Sequence, residues 1–406
     1  MAETFISSSP YDPKKFIDHE EEIKQTISLL RQSQPRVRAA AIDGDRGVGK
    51  TWLSLHLQRT VFKKEITGLT SWLFSLWSPG EHYRPEGDKP QENERFVREG
   101  EKLEIDEFLA IIVNSLSIEL PPNPVLAEKV DAVRRYVQSH VDNRFVLILD
   151  SAYESNWSLL EQLETHFLGN LLTLNNFFVI VTGRGRPYPW KIPFLIEAVR
   201  FGLGKFSVEQ IQQQLERFKL SAILSVDDIY NIGDGWPIFT EFLASAKDRI
   251  DALDVAANLL FAVVSAQDRL QIRKYFEALC PLEGFGETEA ALMVAIYDPN
   301  ALDKDGRDIC RKMNKTHLVS WKDGGYVINH PVKRILREYL KLNKQDDWIS
   351  LNCAAYRRFQ RQSDDPSLTR FRSFFESQMK FYAGILSESG VQDPETCPKE
   401  KMEEMP

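Results

Sequence analysis

Over the first half of the chain, short unbroken apolar runs alternate with stretches of helical spacing, and this alternation stops near Asp251. Phe145 to Leu149 is continuously apolar, as a strand covered on both faces must be. Ala39 to Ile42, "TSWLFSLW" (Thr70 to Trp77), "NNFFVIVTG" and "EAVRFGLGKF" read as further strands. Between them, Ile23, Ile27 and Leu30 share one helical face, Thr51 to Leu57 starts a helix, and Ile105, Phe108, Leu109, Ile112 and Leu116 resume the spacing. Strands alternating with helices up to about residue 204 predict a mostly parallel α/β sheet. Ser207 with Gln210 forms a capping box, Phe206 can staple against Ile211, and Pro237 suits the first turn of the helix that follows it.

Beyond Asp251 three helical stretches precede "HLVSWKDGGYVINH", two extended runs around the turn Asp323-Gly324-Gly325. A helix then aligns Val332, Ile335, Leu336, Tyr339 and Leu340 as one apolar stripe. Three helices and a hairpin are a winged-helix pattern. Trp348 to Leu386 reads as a helical pair. Residues 1–15 read as a loose leader and Ser78 to Lys102 as a long surface loop or insertion. The polar end from Ser389 is expected to be disordered.

With 406 residues, 43% of them hydrophobic, the chain should hold two or three ordinary domains. A formal net charge of -8 argues against coating nucleic acid by bulk electrostatics. No apolar run is long enough to span a membrane and the N-terminus lacks the layout of a signal peptide, so a cytoplasmic location without membrane partners is expected. Cys280, Cys310, Cys353 and Cys397 are widely spaced and are read as reduced thiols.

The chemistry lies in "IDGDRGVGKTW". Gly44, Gly49, Lys50 and Thr51 fit G-x-x-x-x-G-K-[ST], between a strand and a helix, the context a phosphate-binding P-loop needs. Glycines let main-chain N–H groups converge on one anion at a helix N-terminus. Gly44, Asp45, Arg46, Gly47, Val48, Gly49, Lys50, Thr51 and Trp52 are therefore the expected nucleotide-binding residues. Lys50 would reach the β- and γ-phosphates, and Thr51 would ligate Mg²⁺. A second metal anchor is expected at the end of a neighbouring buried parallel strand, where Asp150 follows Phe145 to Leu149. The residue after it, where hydrolases carry a water-orienting carboxylate, is Ser151, with Glu154 three positions on, so either Glu154 substitutes or turnover is slow. Arg184, just beyond Thr182, is placed to read a γ-phosphate; the competing reading is a basic turn. Lys50, Asp150, Glu154 and Arg184 are the catalytic candidates.

This set of motifs resembles the signal-transducing STAND NTPases of the NB-ARC type from about Phe16 to Leu340. "FIDHEEEI" is similar to their leading segment, which frames the adenine, so that Ile17 is implied in nucleotide binding; Asp18 and His19 depart from its Gly-Arg. Thr182 and Arg184 match the T-T-R sensor, and Gly235 and Pro237 match the Gly-Leu-Pro motif, whose proline packs near the nucleotide. His330 corresponds to the winged-helix histidine that touches the β-phosphate of ADP, although Pro331 replaces the acid that follows it. The resemblance implies a switch held shut by ADP and released by ATP, with slow hydrolysis, acting through protein partners or self-association.

The expected architecture is an α/β P-loop NTPase domain with a parallel sheet (1–204), a small helical subdomain (205–250), a winged-helix domain (251–345), a helical tail (346–388) and a disordered end (389–406). The rival function is a replication-initiator-like AAA+ ATPase that binds DNA through a basic, aromatic-studded stretch from Lys333 to Arg372; against it, acidic residues interrupt that stretch, as on a solvated helix surface. A metabolic kinase lacks an evident acceptor pocket here. No guanine motif is evident, which favours adenine.

Overall fold

The computed structural model describes residues 11–44, 47–77, 90–97, 101–184, 187–261, 264, 266–322 and 324–397. The chain forms two compact units, one comprising Met1–Asn231 with Gly235–Ala244, the other Ile232–Asp234 with Ser245–Pro406.

The first unit is built on six parallel strands, β1 (Ala39–Asp43), β2 (Leu69–Ser75), β3 (Glu94–Phe96), β4 (Arg144–Asp150), β5 (Phe177–Gly183) and β6 (Val199–Gly202), in the order β3-β2-β4-β5-β1-β6. The pleat explains why the central runs are apolar at every position. Phe145, Leu147 and Leu149 enter a core shared with the helices Ile105–Ser115 and Leu126–Ser139, whereas Val146 and Ile148 enter a core shared with the helices Glu20–Arg31 and Lys50–His56. Each such buried side chain contributes about 1.5–3 kcal/mol. Register aligns Ser75 with Asp150 and Asp43 with Gly183, so the C-terminal strand ends form one rim.

Two features of this sheet differ from the sequence expectation. First, β5 lies between the strand that feeds the glycine loop and the strand that ends in Asp150, so the two are not neighbours. Second, part of the region read as surface loop is the edge strand β3, while 78–89 and 98–100 lie outside the described residues. Its sequence, Glu-Arg-Phe, looks polar because Glu94 is buried through an ion pair. Arg59 donates from Nε and Nη2 to its two carboxylate oxygens at 2.8 and 2.6 Å. Arg59 lies in a π-helical turn, Leu57–Val61, that extends the helix after the glycine loop into Phe62–Glu65. The helices Val208–Phe218 and Pro237–Ala244 complete this unit, the former with the Ser207–Gln210 capping box in place.

In the second unit the helices Ala266–Leu279, Glu287–Tyr297 and Gly306–Asn314 precede antiparallel β7 (Val319–Lys322) and β8 (Gly325–Ile328). The helix His330–Asn343 follows and buries Val332, Ile335, Leu336, Tyr339 and Leu340, the stripe read from the sequence. This is the winged-helix order; Asp323 of the wing turn lies outside the described residues. The helices Gln345–Asp364 and Arg372–Glu388 form the tail.

Here two expectations are corrected. Cys353 and Cys397 are joined in a disulfide across a sequence separation of 44, while Cys280 and Cys310 are free and buried. Residues 389–397, expected to be disordered, are accordingly held in place. Pro394–Thr396 forms a 3-10 turn, and Arg357 grips it through a 2.6 Å bond to Glu395. Residues 398–406 lie outside the described residues.

Candidate functional site

The loop after β1 turns sharply into the helix Lys50–His56. Gly47 and Gly49 have φ of +86° and +100°, a region that side chains resist, and Gly49 is the N-cap of the helix. Asp45 and Arg46 lie outside the described residues. Lys50 is buried, and its Nζ donates to the Gly44 carbonyl at 2.7 Å, closing the loop on itself. Val48 is buried beneath the loop. At the loop's tip, the Gly47 carbonyl accepts from the Ile238 N–H at 3.4 Å, and a Cβ on Gly47 would meet Ile238 Cγ2 at 2.6 Å. Pro237, the first residue of its helix, is thereby brought beside the loop.

Asp150 is fully buried and collects hydroxyls from both sides of its strand. Thr51 Oγ1 donates to it at 2.9 Å, Thr182 Oγ1 at 2.7 Å and Ser75 Oγ at 3.2 Å. The intervening β5 therefore contributes to the carboxylate's shell without separating it from Thr51. The sequence reading missed Ser75, whose register opposite Asp150 depends on strand pairing. Hydroxyl and carboxylate oxygens suit a hard divalent cation that keeps other ligands from water or phosphate. Among the described residues no group of three or more His, Cys, Asp or Glu could hold a metal by itself.

Glu154 and Arg184 sit at the same rim and pair with each other. Arg184 Nε lies 3.1 Å from Glu154 Oε1, and the Arg184 main-chain N–H donates to Oε2 at 3.3 Å. Burial pushes the Glu154 carboxyl above its ordinary value, against the pull of Arg184 and Lys50. Asp43, at the end of β1, was also missed. Burial raises its pKa, opposed by Arg200 and Lys50, so it belongs to the same charged cluster.

The leading segment packs along this unit. Phe16 stacks on His56 with ring centroids 3.8 Å apart, Ile17 is buried, and Arg217 Nη1 donates to the Phe16 carbonyl. Asp18 and His19 both adopt left-handed φ, and the buried His19 places Nε2 3.7 Å from where a Gly49 Cβ would stand. The backbone here takes the left-handed form without a glycine, and a histidine fills the space behind the loop. Trp52, partly buried, lies flat against Phe218 at 6.1 Å. His330 belongs to the second unit, where it is 79% exposed, with Nδ1 3.8 Å from Asp234 Oδ2. Arg334 shares that aspartate at 3.3 Å.

Much of the basic stretch is engaged internally. Lys333 and Arg337 pair with Glu283 at 2.9 and 2.8 Å, Lys344 pairs with Glu277 at 2.9 Å, Arg357 with Glu395 and Arg358 with Glu289. Among the described residues no helix is long and apolar enough to cross a membrane.

No protein-family model matches the chain, and no curated protein matches it. Among solved structures it is similar to a Walker-type ATPase of Pyrococcus abyssi, with 17% identity, a TM-score of 0.46, and coverage of 81% of this chain and 98% of that one. It is also similar to Cdc6p from Pyrobaculum aerophilum, with 14% identity, a TM-score of 0.40, and coverage of 82% and 97%. A third similarity is to a STAND protein with a tetratricopeptide repeat sensor from Pyrococcus horikoshii, at 13% identity and a TM-score of 0.35. There the match covers 93% of this chain and 49% of that protein. The parallel strand order and the glycine loop ahead of Lys50 make the first unit an α/β P-loop NTPase fold.

Proposed function

We propose that this chain is a nucleotide-controlled switch of the signal-transducing STAND type, which binds ATP or ADP with Mg²⁺ and hydrolyses ATP slowly. The observation that carries the reading is the contact of Thr51 with Asp150 across β5, at the mouth of a glycine loop closed by Lys50. Phosphate oxygens would replace the Gly44 carbonyl as the partner of Lys50. Thr51 and Asp150 would hold Mg²⁺, which when bound neutralises charge on the phosphates. Ile17, Trp52 and Pro237 would flank the nucleotide. Glu154 stands in for the carboxylate missing at Ser151, and Arg184 reads the terminal phosphate.

In this reading residues 1–204 bind nucleotide, 205–250 form the helical subdomain, 251–345 the winged helix and 346–388 the tail. His330 is the contact that distinguishes the ADP-held state; a ligand shifts such an equilibrium only by binding one arrangement better. Partners are proteins or further copies of the chain. The internal ion pairs of Lys333, Arg337, Lys344, Arg357 and Arg358 support a switch over a DNA-loading ATPase, because those charges are already engaged. Retention on duplex DNA that weakens steeply with salt would reverse that preference.

The test is the nucleotide carried by the purified protein, expected to be ADP. His330→Ala is then expected to speed ADP release and promote self-association. Equal ADP dissociation rates for variant and wild type would remove His330 from the mechanism.

A further inference from the structure

The two groups assigned above to water and to the terminal phosphate occupy each other. Both Glu154 carboxylate oxygens face one residue, Oε1 the Arg184 guanidinium at 3.1 Å and Oε2 the Arg184 main-chain N–H at 3.3 Å. The side chains are 3% and 6% exposed, and the guanidinium also lies over the Trp77 ring, 5.0 Å from its centre. Charges this deep do not part unless each receives a replacement. Lys50 is among the charges that act on Glu154, so the carboxylate keeps a cationic neighbour, shared with the phosphates, when Arg184 turns away. What is lacking is an anion for Arg184.

We propose that Arg184 restrains Glu154 until a nucleoside triphosphate binds, and that the terminal phosphate releases Glu154 by taking over the guanidinium. This rests on the reading of the site as a nucleotide-binding P-loop. A phosphate presents the guanidinium with more acceptor oxygens and more charge than a carboxylate does, so the exchange is favourable. A diphosphate lacks those oxygens and leaves the pair shut. Once released, Glu154 takes a proton from a water whose oxygen bonds to the terminal phosphorus; the electron pair of the broken bridging P–O bond leaves with the diphosphate. The arginine is thus both brake and sensor, and the missing acid at Ser151 is supplied only when there is substrate to use it on.

The experiment is calorimetric binding of ADP and of the slowly hydrolysed ATPγS, each with Mg²⁺, to the full chain. Glu154→Gln removes the competitor for Arg184. It is expected to tighten ATPγS binding about tenfold relative to ADP, because a charged partner no longer has to be displaced. Arg184→Gln is expected to abolish the wild-type discrimination between the two nucleotides. An unchanged ratio in Glu154→Gln overturns the proposal while leaving the P-loop reading intact; a wild-type chain that binds neither nucleotide overturns that reading itself. Tryptophan emission gives an independent readout on the native pair. The difference between wild type and Trp77→Phe should respond to ATPγS and not to ADP, and an equal response to both counts against the exchange.

Discussion

Replacing Arg59 by methionine should loosen the edge of the sheet by more than any exposed ion pair could. In the native chain Glu94 is inaccessible and accepts from Arg59 Nε and Nη2 at 2.8 and 2.6 Å and from the Gln91 N–H at 3.0 Å. Methionine keeps the aliphatic stem but strands the carboxylate, and breaking one side of a buried pair costs about 3–5 kcal/mol. The loss falls first on β3, which hangs from β2 through the Leu73 N–H to the Asn93 carbonyl and the Val97 N–H to the Ser75 carbonyl, both at 3.0 Å. Native-state hydrogen exchange of the Val97 amide reads this directly. At 1.4 kcal/mol per decade, exchange should quicken by about two to three and a half orders of magnitude, up to the limit set by opening of the whole unit. Adding Glu94→Gln should recover much of the loss, since the stranded charge is then gone. Exchange at Val97 within threefold of wild type in Arg59→Met would refute the idea that this pair holds the edge strand. A slow, uncoupled Ser75 in the same experiment would separate the edge from the hydroxyl shell of Asp150.

Other consequences are equally open to measurement. Lys50→Ala should weaken adenine nucleotide binding at least about a hundredfold, some 2.7 kcal/mol, and abolish turnover with it; a tight-binding variant would show that another group holds the phosphates. Burial lowers the His56 pKa to about 4, while an unfolded chain titrates near 6.5, so the unfolded state takes the proton first as the pH falls. Stability of the first unit should therefore be full above pH about 6.5 and decline towards pH 4, by about 1–2 kcal/mol after allowing for partial solvation, and His56→Gln should flatten the slope. Denatured, unreduced protein should present only the thiols of Cys280 and Cys310; four reactive thiols would disprove the Cys353–Cys397 bridge. Removing that bridge with paired serines should cost the second unit up to about 4 kcal/mol for a loop of this length.

What could be read from the sequence was what is local or periodic. The turn glycines, Lys50 and Thr51 are contiguous, and Asp150 ends an apolar run long enough to declare a buried strand. The helix after the wing was legible because its stripe repeats over about two turns. What escaped depends on pairing between distant segments. The strand β3 was hidden because its first residue is a glutamate whose burial is intelligible only with Arg59 in view, 35 positions away. The place of β5 between β1 and β4 follows from sheet order, which alternation alone leaves open. Glu154 and Arg184 were singled out separately, each for a role towards the nucleotide. That they neutralise each other follows from the geometry of two strand ends. The same holds for the basic stretch: its partners Glu277, Glu283 and Glu289 precede it by dozens of residues and come from two other helices and the turn between them, so counting charges along the chain overstates the positive face.

The hydroxyl shell of Asp150 has a bearing on how a cation would be received. Thr51, Ser75 and Thr182 point their protons inward at one carboxylate, and a hydroxyl proton rotates about its C–O bond without leaving the oxygen. An incoming divalent ion therefore needs no ligand to ionise. It would turn lone pairs where hydrogens had been and release no hydroxyl proton to solvent. Such a site fills and empties by torsion alone.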